Sequence, residues 1–122
     1  MKKGTYVIFS FKNITKNKKY NFEFFKKDFK TKLQAYTSLI ERIIEIENTD
    51  WIDFINKPKI SGMESMKFNQ INFKPNNYTI LADDKVISIR FFNQKYRIIG
   101  IKDNNVFRIF GFDFNYKAYK HE

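Results

Sequence analysis

Residues 86–112 read VISIRFFNQKYRIIGIKDNNVFRIFGF. Three runs rich in β-branched and aromatic side chains, Val86 to Phe92, Lys95 to Lys102 and Val106 to Phe112, are separated by Asn93-Gln94 and by Asp103-Asn104-Asn105. Such side chains favour the pleated backbone, and Asn tolerates the left-handed conformations that tight hairpin turns require. The stretch therefore predicts a three-stranded antiparallel meander.

Its register carries the first functional signal. With Asn93-Gln94 as a two-residue turn, Arg90 lies directly opposite Arg97 and both side chains share a face, where like charges oppose one another at a cost in stability. With Asn104-Asn105 as the next turn, Arg108 opposes Ile101 on that face and three guanidiniums converge; a three-residue turn at Asp103 to Asn105 would send Arg108 to the other side. The same face is expected to hold Ile99, Phe92, Phe110 and Phe112, so it is apolar with a basic centre. A planar, permanently charged guanidinium fork matches phosphate oxygens, which points to an anion site. The alternative is that each arginine pairs with an acid such as Glu64 or Asp113.

Upstream, Thr5 to Phe11 and Tyr20 to Phe25 are aromatic and β-branched runs around the polar stretch from Lys12 to Lys19, which predicts an N-terminal hairpin within residues 4–26. From Asp28, a candidate N-cap, apolar residues at Phe29, Leu33, Tyr36, Ile40 and Ile43, with Leu39 and Ile44, recur at helical spacing as far as Asn48. Thr49 or Asp50 can cap a short second helix with Trp51, Phe54 and Ile55, ended by Pro58, and Trp51 is expected in the core. Residues 66–84 read as an insertion of strand and turn signals. The fold class expected is α+β: the hairpin, one long and one short helix packed on a mainly antiparallel sheet, and the closing meander, in a single domain over residues 1–122.

With 122 residues, 43% of them hydrophobic and 19% aromatic, the chain can bury one core. No run approaches the ~20 apolar residues of a membrane span, and the start has no signal-peptide pattern, so a cytoplasmic protein without a membrane partner is expected. The absence of Cys and the single His exclude disulfide frameworks, thiolate zinc sites and cysteine nucleophiles. Lys and Arg total 23 against 13 acids, a net charge of +10 that favours polyanionic partners, RNA above all. Lysines scattered on a solvated face would give the same count. The four arginines are more informative, because Arg90, Arg97 and Arg108 all fall in the meander while Arg42 does not. Lys95, Lys102, Lys117 and Lys120 are added as candidate RNA contacts. The tail brings Tyr116, Lys117, Tyr119, Lys120 and His121 together, and if it docks on the sheet it can supply proton transfer beside charge stabilisation.

Lys95-Tyr96-Arg97-Ile98-Ile99, with the strand before it, the strand after it and a short tail with Tyr and His, resembles the core of the RelE/HigB-like toxins, the ribosome-dependent mRNA interferases. Lys59-Ile60-Ser61-Gly62-Met63 is similar to the segment that links that family's helices to its sheet. The likeness covers Lys59 to His121, with Ser88 where some members carry a second basic residue. It implies that Arg97 binds the scissile phosphate with Arg90 beside it, that Lys117 is the basic residue near the last strand, and that Tyr119 or His121 is the terminal catalytic side chain. It further implies mRNA cleavage by attack of a ribose 2′-oxygen, with the ribosome and an antitoxin as partners. The residues alone agree in offering no carboxylate cluster for a metal, so neither metal nor cofactor is expected. His121 is the one side chain whose unperturbed titration lies near neutrality, whereas Tyr119 would need a lowered pKa to act as a base. Two other readings stand beside the endoribonuclease: a non-catalytic RNA- or ribosome-binding protein, and a mobile-element protein-interaction module.

Overall fold

The computed structural model describes residues 7–50 and 62–120. Its elements are β1 (Ile8–Ser10), α1 (Glu23–Lys26), α2 (Phe29–Glu47), β2 (Met63–Lys67), a 3₁₀ turn (Phe68–Gln70), β3 (Lys85–Phe91), β4 (Tyr96–Asp103) and β5 (Val106–Asp113). The strands form one mixed sheet in the order β1-β5-β4-β3-β2, an α+β architecture. β2 to β5 are consecutive antiparallel neighbours, while β1 runs parallel to β5 on the edge. The turns fit their residues: Asn93, Gln94 and Asn104 all have positive φ, and the Lys95 N–H closes the first turn on Phe92 O at 3.0 Å.

The long helix forms because Ala35, Leu39, Ile43 and Ile46 recur every three or four residues and bury one stripe. That stripe packs on the sheet face carrying Ile87, Ile89, Ile98, Phe107, Ile109 and Phe112. Each large buried side chain contributes about 1.5–3 kcal/mol, so this layer is the main source of cohesion. Asp28 precedes the helix with φ 55 and makes no side-chain cap; its carbonyl instead accepts from the N–H and hydroxyl of Thr31 at 3.0 and 2.8 Å.

The expected N-terminal hairpin does not form. β1 takes β5 as its partner, Ile8 opposite Val106 and Ser10 opposite Arg108. The second aromatic run becomes the single turn α1, because Asn21 Oδ1 accepts the Glu23 N–H at 2.9 Å and starts a helical turn. Its rings then fill the sheet's end: Phe25 is buried and Phe24 stacks on Phe114 with centroids 3.8 Å apart. Aromatic β-propensity reflects packing as much as backbone preference, and here packing against the sheet's end wins. Among the described residues a short helix thus precedes the long one. The helix expected around Trp51, Phe54 and Ile55, and Lys59 to Ser61 of the linker-like segment, lie outside the described residues.

Residues 66–84 complete β2 and then cross the other sheet face. Phe73 joins Tyr20, Val86, Ile99, Ile101, Phe110, Ala118 and Tyr119 in a second core, with Tyr78 and Ile80 packed against it. A β-bulge shapes that face: Gly100 pairs with Ile109 but Ile99 with Gly111, leaving Phe110 as the extra residue. The slip turns Phe112 into the helix-side core, contrary to its expected place beside the arginines, and sets Asp113 opposite Arg97. Phe92 likewise packs towards the helix side, where its N–H donates to Ser38 Oγ at 3.0 Å. Among the described residues no helix is long and apolar enough to cross a membrane.

Candidate nucleic-acid interface

Arg90 and Arg97 are register partners across the first hairpin of the meander. Arg97 is 7% exposed, and its guanidinium lies over the ring of Tyr116 at 4.6 Å. One of its terminal N–H groups reaches Lys95 O at a long 3.4 Å, while Nε is buried without an acceptor. Arg90 donates from Nη1 to Gln94 Oε1 at 2.8 Å, and its Nε too is buried without an acceptor. Neither is in an ion pair among the described residues. The nearest acid in register, Asp113, is fully buried and accepts through Oδ1 from the N–H groups of Asn115 and Lys117, both at 3.2 Å. Buried donors are nearly always satisfied in folded proteins, so the two Nε–H groups mark a local cost of bringing two arginines together across one hairpin.

The expected convergence of Arg108 does not occur. It opposes Ile101, four residues along β4 from Arg97, or ~13 Å at strand rise. Its Nε is paired with Asp103 at 3.0 Å and its Nη1 donates to Asn13 Oδ1 at 3.2 Å, which makes it a structural clasp to the N-terminal loop. The third guanidinium at the site's end of the sheet is that of Arg42 on α2, whose Nε–H donates to Arg90 O at 3.0 Å and which pairs with Glu45. Gly62 lies beside them at φ +72, a conformation that favours glycine; a Cβ there would be in ordinary contact with Arg90 Cβ at 3.4 Å and Arg42 Nη2 at 3.6 Å. In sequence Arg42 stood out only as the arginine outside the meander, and helical spacing could not tell that it reaches the sheet's edge.

The tail is anchored over the second face. Tyr116 takes φ 62, turning the chain after β5, and is 53% exposed, with the Arg97 guanidinium over its ring. Lys117 O then accepts from Tyr20 OH at 3.3 Å, and Ala118 O from the Asn72 N–H at 2.8 Å. Tyr119, 5% exposed, donates its hydroxyl proton to Glu64 and accepts from Ser88 Oγ at 2.9 Å. Ser88, which stands where the resembled family can be basic, is thus the phenol's donor. Burial, then the bond to Glu64, pushes the Tyr119 phenol up to about 12; the Ser88 bond and the Arg97 charge oppose the rise. Tyr119 is therefore a buried tether that keeps its proton, and the role of base expected for it is not one this environment supports. Burial, and then Asp113, also raises the Tyr20 phenol.

Lys95 is exposed at the hairpin tip, its amine 5.7 Å from the Phe92 ring centroid, and Lys117 and Lys120 are exposed along the tail. Lys120 also lines an open cleft of about 370 Å³ with Glu64, Ser65, Met66, Gln70 and Tyr119. Lys102 opposes Phe107, a helix-side residue, and so stands away from the arginine pair. His121 lies outside the described residues. Compared with known protein families, curated proteins and solved structures, the chain matches none.

Proposed function

We propose that this domain binds single-stranded RNA, holding a backbone phosphate between Arg90 and Arg97 and stacking a base on the ring of Tyr116. The observation that carries the reading is the opposition of two arginines across one hairpin, neither of them in an ion pair among the described residues. A phosphate met by the terminal guanidinium N–H groups of the two side chains offsets the repulsion between them. An aromatic ring beside a guanidinium is also the pairing that sequence-tolerant single-strand binders use, with stacking worth about 1–3 kcal/mol per base. Lys95, Lys117 and Lys120 extend the positive surface around this point, and the +10 charge steers the encounter.

The test uses a short unstructured RNA and fluorescence anisotropy across a salt series. Wild type binds with an affinity that falls steeply with ionic strength, as counterion release requires. Arg97→Ala and Tyr116→Ala weaken binding by roughly tenfold or more. Arg108→Ala loses its clasp to Asp103 and Asn13, hence stability, and keeps the affinity. Equal affinity in Arg97→Ala and wild type removes the site.

A second reading, cleavage of mRNA on the ribosome in the manner of the RelE/HigB-like toxins, is favoured by the anchoring of the tail through Ala118 and Tyr119 onto the arginine-bearing face. In that chemistry a ribose 2′-oxygen attacks the adjacent phosphorus, the bond to the 5′-oxygen breaks to leave a cyclic phosphate, the proton lost by the 2′-hydroxyl is balanced by one gained at the leaving 5′-oxygen, and the arginines neutralise the charge developing on the phosphate. Since Tyr119 holds its proton, the proton acceptor is assigned to His121 on its titration range. Ribosome-bound mRNA cut by wild type and spared by His121→Gln supports this reading; cleavage at the wild-type rate by that variant refutes the assignment. Ribosome and antitoxin partners belong to this reading alone.

A further inference from the structure

Helix α2 has a second apolar stripe, and it faces solvent. Phe29, Leu33, Ile40 and Ile44 are 47, 49, 40 and 50% exposed, although a helix buried on one side is expected to be polar on the other. At roughly 200 Å² for a fully exposed large side chain, these four present roughly 370 Å² of apolar surface, in the range where the largest patch on a monomer is usually functional. The stripe is also symmetric in sequence. Positions 29 and 44, and positions 33 and 40, lie equally far from the midpoint between Tyr36 and Thr37.

The net charges of the two ends of the helix are opposite in sign. Around the helix start stand Lys26, Lys27, Lys30 and Lys32 against Asp28 and Glu23, of which Glu23 pairs with Lys26 at 3.0 Å while Lys32 donates to Phe24 O; the last three turns carry Glu41, Glu45 and Glu47, with Arg42 drawn to Glu45 and Arg90. The first turn has no acid and the last no base, the reverse of what the helix dipole favours. A helix so charged is poorly stabilised alone and well matched to its own copy laid antiparallel. The basic start of one copy then meets the acidic end of the other, with Lys30 of each copy near Glu41 of its partner, and Phe29 faces Ile44 while Leu33 faces Ile40.

We propose that this face is the interface of a two-fold symmetric homodimer, with α2 packed antiparallel on α2 of a second copy. The occupant follows from self-complementarity: an isologous contact requires the patch to match itself under rotation, and this one does in both shape and charge. The helix is ~28 Å long, enough for the apolar centre of an interface of about 800 Å² per partner with charged residues as its rim. The arginine pair takes no part in this contact, so dimerisation stands independently of RNA binding.

Sedimentation of the full chain over a concentration series tests it. Wild type goes from monomer to dimer as concentration rises. The exposed double variant Leu33→Lys/Ile40→Lys stays folded by circular dichroism and sediments as a monomer. Because each change occurs twice in the dimer, Glu41→Lys alone weakens association about tenfold at low salt, and adding Lys30→Glu, two residues from the position that mirrors 41 and on the same flank of the helix, restores it. That rescue distinguishes the antiparallel contact from simple apolar stickiness. A wild type that is monomeric at every concentration, a dimer that survives Leu33→Lys/Ile40→Lys, or no rescue by the double charge swap overturns the proposal; the first of these leaves the stripe to a different protein.

Discussion

Replacing Tyr119 by Phe removes one oxygen atom and separates two accounts of the tail. The hydroxyl joins Ser88, which is fully buried, to Glu64. Its loss leaves Ser88 without that partner and costs about 1–3 kcal/mol at neutral pH. The pH dependence is the sharper signature. The folded-state phenol titrates at about 12 against a reference of 10.0, so the folded protein holds this proton more tightly than the unfolded chain. The stability it contributes is present in full below pH 10 and is lost as pH rises from 10 towards 12. Two pKa units correspond to about 3 kcal/mol, comparable with the neutral-pH cost of the substitution. Urea unfolding of wild type and Tyr119→Phe at a series of pH values should therefore show wild type the more stable at pH 8 and the two curves converging near pH 12. A gap that stays constant through that window would mean that Tyr119 does not titrate late and is not locked between Ser88 and Glu64. The base role was built on the opposite premise, a phenol with a lowered pKa.

Ending the chain after Lys117 should cost about 3–5 kcal/mol in urea unfolding, since it removes the buried Ala118 and Tyr119 with their bonds to Asn72 and Glu64; an unchanged midpoint would mean that the tail frays. Gly100→Ala should destabilise by about 2–4 kcal/mol, because its Cβ would fall 2.0 Å from Arg108 O and 2.8 Å from Phe107 Cε1 at the bulge. A variant that unfolds at the wild-type midpoint would show that the bulge yields freely.

The meander was legible because three β-rich runs are punctuated by Asn-containing turns; the strands lie at 85–91, 96–103 and 106–113, within a residue or so of the runs read from sequence. The opposition of Arg90 and Arg97 followed from the turn alone. What sequence could not supply was long-range choice. Ile8 to Ser10 has the same strand chemistry whether its partner is the next aromatic run or the last strand of the sheet. The bulge at Phe110, which redirects Phe112 and brings Asp113 opposite Arg97, leaves no mark in local propensity. Nor does the covering of the arginine-bearing face by residues 68–84 and the tail, though Ile98, Ile99 and Ile101 in near succession hint at a strand buried on both sides. The environment of Tyr119 depends on Glu64, far away in sequence.

The pairing of β1 with β5 also sets an order of events during folding. Ile8 and Val106 lie ~100 residues apart, so their contact closes nearly the largest loop the described chain allows, whereas β3, β4 and β5 are joined by turns a few residues long. The meander can therefore assemble early, and β1 can find its place only once β5 exists. During synthesis from the N-terminus this leaves Val7 and Phe9, both packed in the helix-side core of the finished domain, waiting for the last strand to leave the ribosome. The outer edge of β5 is open over the same interval. The domain is thus most vulnerable to misassembly and edge-to-edge pairing before β1 docks, and that docking is the step that seals it.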